Sequence, residues 1–246
     1  MTEKFGKAYF YGKKSNYFSY DRLNPSKQFK SVISFIKNQK LEGRFLDVGC
    51  AFGLLLKEVS SFFNELHGCD ISQFSIIKAR QKIPNADLRV VNIEQALSYP
   101  DDMFDCITAL DVLEHTYSFE KSFANLVKKL KRGGYLILSA PINNCLRKMF
   151  GFLDKDKTHI CALSESEIIQ TINKRKLKII KIRHFCPFPI FYRIQYVPAA
   201  VELILKNRFW LGGRTLVRHQ FFFFDFYSNF FLFATTYMKA INSIIM

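Results

Sequence analysis

Between residues 44 and 185, short apolar runs alternate with segments whose apolar residues recur at helical spacing. Nothing else in the 246-residue chain limits its fold as strongly. The alternation is the mark of β-α-β units on a parallel sheet, in which each strand is buried on both faces and each connection returns through a helix. Strands are expected at Arg44 to Gly49, Leu66 to Ile71, Leu88 to Ile93, Asp105 to Leu110, Tyr135 to Ala140 and Leu177 to Phe185. Phe119, Phe123, Leu126, Val127 and Leu130 share one helical face, and Gly133-Gly134 is expected to stop that helix. An earlier helix, starting near Pro25-Ser26, buries Phe29, Val32, Ile33 and Ile36. A chain of this length suits one doubly wound α/β domain, with residues 1–40 leading into a core at 41–185.

Residues 186–228 fit no βα unit and are dense in Phe, Tyr and Arg, which predicts an aromatic-rich insertion. Residues 229–246 then supply a last, antiparallel strand and a tail, the strand lying in Asn229 to Met238. Phe221 to Met238 is apolar, but Asp225, Ser228 and Asn229 interrupt it, which favours a core strand over a membrane span. Within the insertion a helix is expected from Ala199 to Trp210. Its apolar residues Val201, Leu203, Ile204, Leu205 and Phe209 would be ringed by Arg193, Lys206, Arg208, Arg214 and Arg218. That composition fits peripheral contact with an anionic membrane face, and equally a substrate lid or a dimer surface.

The net charge of +15 concentrates toward the end of the chain, where residues 161–246 hold 12 Lys+Arg against 4 Asp+Glu. Such an excess attracts polyanions without choosing among nucleic acid, membrane and anionic metabolite. The basic clusters Lys128-Lys129 with Lys131-Arg132, and Lys174-Arg175-Lys176, fall at helix ends, where cations complement the macrodipole. They read as solvated faces, and nucleic acid is disfavoured as a partner. Six cysteines form no C-x-x-C pair, and the first 14 residues hold no apolar segment, so reduced thiols and a cytoplasmic setting are expected.

Asp47-Val48-Gly49-Cys50-Ala51-Phe52-Gly53 ends the first strand in a tight turn whose small residues let backbone approach a ligand. A dinucleotide fold would carry G-x-G-x-x-G to seat a pyrophosphate, whereas G-x-A-x-G suits a nucleoside without one. Asp70 ends the next strand, where a carboxylate can accept both ribose hydroxyls; a helix N-cap is its structural alternative, for which Ser72 competes.

Four stretches in order resemble the class I S-adenosylmethionine-dependent methyltransferases, a broad group that includes ubiquinone-pathway O-methyltransferases and bacterial small-molecule and glycan methyltransferases. They are L-D-V-G-C-A-F-G at 46–53, G-C-D-I-S at 68–72, F-D-C-I-T-A-L-D-V-L-E-H at 104–115 and L-K-R-G-G-Y-L-I-L-S-A-P at 130–141. The resemblance implies a Rossmann-like fold and S-adenosyl-L-methionine as cofactor. Asp47, Gly49, Cys50, Ala51 and Gly53 would form the turn at its methionine end, Asp70 and Ile71 would hold ribose and adenine, and Asn92 with Ile93 would meet the adenine edge. Asp111 would lie near the reactive methyl. Two departures stand out: Ala51 replaces a middle glycine, tolerable at negative φ, and Asn92 stands where an aspartate is common. The aromatic start, Tyr9-Phe10-Tyr11 with Tyr17, Phe18 and Tyr20, resembles segments that cover the cofactor in such enzymes.

Methyl transfer from a sulfonium needs alignment and exclusion of water more than it needs catalytic side chains. An oxygen or nitrogen acceptor must still lose a proton, and His115 and His159, the latter in Asp156-Lys157-Thr158-His159, are the candidate bases. The run Asp111-Val112-Leu113-Glu114 is not the D/N-P-P-Y of base-amine methyltransferases, and Asp101, Asp102 and Glu114 form no compact metal set in sequence. The expected acceptor is a small molecule, a glycan or a lipid-linked intermediate. RNA methylation and a non-catalytic cofactor-binding subunit are the competing readings.

Overall fold

The computed structural model describes residues 2–15, 19–143, 156–175, 177–185 and 200–207. Seven strands form one sheet: β1 (Arg44–Val48), β2 (Glu65–Asp70), β3 (Asp87–Val90), β4 (Phe104–Leu110), β5 (Leu130–Pro141), β6 (Leu177–Phe185) and β7 (Ala200–Asn207). Their order is β3-β2-β1-β4-β5-β7-β6, with β7 antiparallel to both neighbours and the other pairings parallel. The expected doubly wound, mostly parallel sheet is therefore present. Chain order reverses between β1 and β4, and such a switch point opens a crevice at the carboxyl ends of the strands.

Apolar layers cover both faces. On one, Phe119, Phe123 and Leu126 of the helix Phe119–Lys129 pack with Ile168 and Ile172 of the helix Glu165–Lys174 against Leu46, Ile107 and Leu136. On the other, Val32, Ile36, Leu56 and Ile76 pack with Phe45, Cys106 and Ile204. Each of these side chains contributes about 1.5–3 kcal/mol by leaving water. Side-chain caps start the helices: the Ser118 and Ser72 hydroxyls accept the Lys121 and Ser75 N–H groups, and Ser164 with Glu167 closes a capping box. The helix expected from Pro25 is broken in two, Pro25–Gln28 and Lys30–Asn38, at Phe29 (φ −104°, ψ 15°).

Two expectations are corrected. The helix Phe119–Lys129 ends before Leu130, and Gly133-Gly134 lies within β5, with Gly133 at φ +81° where the register against β4 shifts. The helix expected at Ala199 to Trp210 is instead β7, whose Leu203, Ile204 and Leu205 are 2%, 1% and 0% exposed because the strand lies between β5 and β6. Leu203, Ile204 and Leu205, assigned to a membrane-facing surface, thus belong to the core and present no apolar helix face to a membrane. The antiparallel strand expected in Asn229 to Met238 lies outside the described residues, as do Phe209, Trp210, Arg193, Arg208, Arg214 and Arg218. Among the described residues, no helix is long and apolar enough to cross a membrane.

Candidate active site

A cavity of about 960 Å³, its open mouth included, lies at the carboxyl ends of β1 to β4. It is lined by Gly49 and Ala51 after β1, Asp70 and Ile71 at the end of β2, Asn92 and Ile93 after β3, and Asp111 after β4. His115 reaches it from the 3-10 turn Leu113–His115, and Phe5, Tyr9, Phe10 and Tyr20 close the side away from the sheet. Eight of the twelve site residues expected from sequence therefore share one wall. Asp47, Cys50, Gly53 and His159 do not line it.

The turn after β1 is fastened to the tip of β2. Gly49 and Cys50 donate their N–H groups to the Cys69 carbonyl at 2.7 and 3.1 Å. Ala51 N–H donates to Asp70 Oδ2 at 2.9 Å, and Ser72 N–H to Oδ1 at 2.8 Å. Ser72, not Asp70, caps the following helix. A Cβ on Gly49 would stand 2.3 Å from Val112 Cγ2, and the residue sits at φ +71°. That position thus requires glycine, keeping open the backbone cradle at the switch point. Ala51 lies at φ +47°, not at the negative φ expected, so the chain accepts a left-handed alanine at this turn.

Burial pushes the Asp70 carboxyl above its ordinary range, against the opposing Ser72 and Ala51 hydrogen bonds. Asp47, 5% exposed beneath the turn, is pushed up to about 7 by burial, a rise opposed by the Thr108 hydroxyl bond at 2.7 Å and reinforced by the Asp70 charge. Asp111 is also raised by burial, with the Ser139 hydroxyl bond and the charge of His159 opposing. Its φ of +53° is held by its own N–H, which donates to the Ser139 carbonyl and hydroxyl at 3.0 and 3.1 Å. Burial likewise raises the thiols of Cys50, Cys69 and Cys106, which are free and inert.

The loop after β3 is shaped by Asn92, whose side-chain oxygen accepts the Glu94 N–H at 3.0 Å, and by Asn125, which donates to the Ile93 and Gln95 carbonyls. The segment from Asp156 is tied to the end of β4, because Ile160 and Cys161 N–H groups both donate to the Glu114 carbonyl at 2.9 Å. The Thr158 hydroxyl then lies 2.8 Å from His115 Nδ1, and the His159 ring stands 4.8 Å from the His115 ring. Buried Glu114 joins both histidines, with one side-chain N or O of each within 4.8 Å of the others; its spacing from Asp101 and Asp102 gave no hint of this group. Sequence reasoning named Val112, Asp156 and Thr158 only as parts of stretches, and missed Phe5. Lone apolar residues far apart in the chain carry no local signal.

Residues 46–138 match the family model described as a methyltransferase domain. The chain is 30% identical over 118 residues to a ubiquinone biosynthesis O-methyltransferase of Alkalilimnicola ehrlichii, covering 46% of this chain and 48% of that protein. It is 34% identical over 115 residues to the Agrobacterium fabrum protein of the same description, covering 45% of each. The chain thus spans about half the length of the curated relatives it matches. The fold is similar to that of an S-adenosylmethionine-dependent methyltransferase from Clostridium acetobutylicum, with a TM-score of 0.60 at 17% identity, over 79% of this chain and 94% of that one.

Proposed function

We propose that the chain is a class I S-adenosylmethionine-dependent methyltransferase that binds its cofactor in this cavity and methylates a small-molecule acceptor, a reading supported by the methyltransferase-domain match over residues 46–138 and by the curated relatives. The observation that carries the reading is the shared wall of Gly49, Asp70, Asn92 and Asp111 at the switch point. The residues fit the cofactor. The glycine cradle admits no Cβ, and the Asp70 carboxylate, which lines the cavity, would accept ribose hydroxyls. Asn92 and Ile93 would border the adenine, and Asp111 the methionine end.

When bound, the cofactor supplies an activated methyl group with a neutral thioether as leaving group. The aromatic side chains Phe5, Tyr9, Phe10 and Tyr20 would exclude water and present an apolar face to the acceptor. His115, which lines the cavity, would take the acceptor proton, while His159, tilted against it at 4.8 Å and outside the cavity lining, would not touch the acceptor. Oxygen is the favoured atom, since the curated relatives are described as O-methyltransferases; a glycan or lipid-linked acceptor is the next reading. Calorimetric titration with S-adenosylmethionine and with S-adenosylhomocysteine tests the proposal. Saturable binding of both, weakened at least tenfold in Asp70→Ala, is expected, and absence of binding would leave a scaffold of the same fold.

A further inference from the structure

Asp156 is buried, 6% exposed; donors from Tyr9 and Thr158 converge on its carboxylate, and His159 Nε2 stands 3.9 Å from Oδ2. The Tyr9 hydroxyl donates to Oδ2 at 2.9 Å, the Thr158 N–H to Oδ1 at 2.9 Å, and the Thr158 hydroxyl to the same Oδ1. A threonine hydroxyl has one hydrogen and two lone pairs. With that hydrogen given to Asp156, Thr158 Oγ1 can only accept from the nitrogen 2.8 Å away, His115 Nδ1. The proton of the neutral imidazole is thereby assigned to Nδ1, and the lone pair to Nε2.

We infer that Asp156 and Thr158 are positioning residues that fix the tautomer of His115, leaving Nε2 as the nitrogen that receives the acceptor proton. The inference deepens, and rests on, the reading of His115 as the base. The relay also reaches the N-terminal segment: Tyr9 donates to Asp156, and the Phe5 ring meets the imidazole edge-on at 5.4 Å. The residues that cover the cavity therefore hold the same imidazole that faces it. In proton transfer, Nε2 would take the acceptor hydrogen while the acceptor oxygen gains the methyl group and the sulfur–methyl bond of the sulfonium breaks to leave a neutral thioether; the imidazolium would keep its Nδ1 proton on Thr158.

The tautomer is measurable without an acceptor. Nitrogen-15 spectra of the full chain, labelled at histidine and recorded where the imidazole is neutral, identify His115 by the resonance missing from His115→Gln. The expected result is a protonated Nδ1 and an unprotonated Nε2, favoured by about tenfold. Thr158→Val should abolish the preference, and Thr158→Ser should restore it. A wild-type His115 protonated on Nε2, or a preference unchanged in Thr158→Val, overturns the inference; the wild-type spectrum decides even if a variant fails to fold. Calorimetry separates this from the underlying reading. Failure of the wild type to bind S-adenosylmethionine would end the methyltransferase proposal and leave the tautomer intact.

Discussion

Ala51 N–H donates to Asp70 Oδ2 at 2.9 Å, so the carboxylate proposed to meet the ribose also shapes the turn proposed to meet the methionine end. Removing it should damage both at once. Asp70→Ala is expected to weaken S-adenosylmethionine binding at least tenfold, about 1.4 kcal/mol. It should also lower the urea midpoint, because Ser72 and Ala51 N–H groups lose their acceptor. Titration calorimetry beside a denaturation curve reads the two effects separately. Unchanged affinity would take Asp70 out of the site.

Gly49→Ala tests the cradle. The new Cβ meets Val112 Cγ2 at 2.3 Å, and alanine must adopt φ +71°. A loss of about 2 kcal/mol or more in unfolding free energy is expected, together with loss of cofactor binding. Adding Val112→Ala should recover part of the stability, since it removes the clash and leaves the backbone strain. A double variant no better than Gly49→Ala would show that strain alone is responsible.

Asp47 makes stability depend on pH with a definite sign. Its carboxyl, raised to about 7 in the folded chain from an unfolded value of 3.8, holds more protons folded than unfolded between those two values. Unfolding free energy contributed by this group therefore falls as pH rises through that window. Asp47→Asn removes the titration and keeps an oxygen for the Thr108 hydroxyl. Urea midpoints at about pH 4.5, 5.5, 6.5 and 7.5 should show a shallower decline in the variant than in wild type. Parallel curves would mean that Asp47 stays charged when buried.

Deleting residues 1–20 should raise the S-adenosylmethionine dissociation constant. Phe10 packs on Phe52 with ring centroids 4.8 Å apart, and Tyr20 on the same ring at 5.1 Å, so the segment closes the cavity by burying itself against the turn. A melting curve controls for folding. A truncated chain that melts normally and binds with full affinity would show that these aromatics only pack.

The strands expected between residues 44 and 185 were legible because parallel strands read as short apolar runs, the central β1 and β4 being buried almost throughout, and each overlaps its expected range. β7 was not, because Val201, Leu203, Ile204 and Leu205 fit a helical stripe as well as a strand, and only its position between β5 and β6 selects the strand. The same holds at Gly133-Gly134. A glycine pair reads as a helix stop, whereas here Gly133 supplies a positive φ at an irregularity within β5. At the site, Gly49, Asp70 and Asp111 were legible because each directly follows or ends an expected strand. The contact of Tyr9 with Asp156 joins residues 147 positions apart, and no local pattern encodes it.

The central claim is that the cavity above β1, β2 and β4 is a cofactor site, and titration of the full wild-type chain with S-adenosylmethionine tests it most directly. The account predicts one site per chain, competition by S-adenosylhomocysteine, and at least tenfold weaker binding in Asp70→Ala at unchanged stoichiometry. A folded wild-type chain that takes up neither compound, or an Asp70→Ala variant that binds as tightly as wild type, would contradict it.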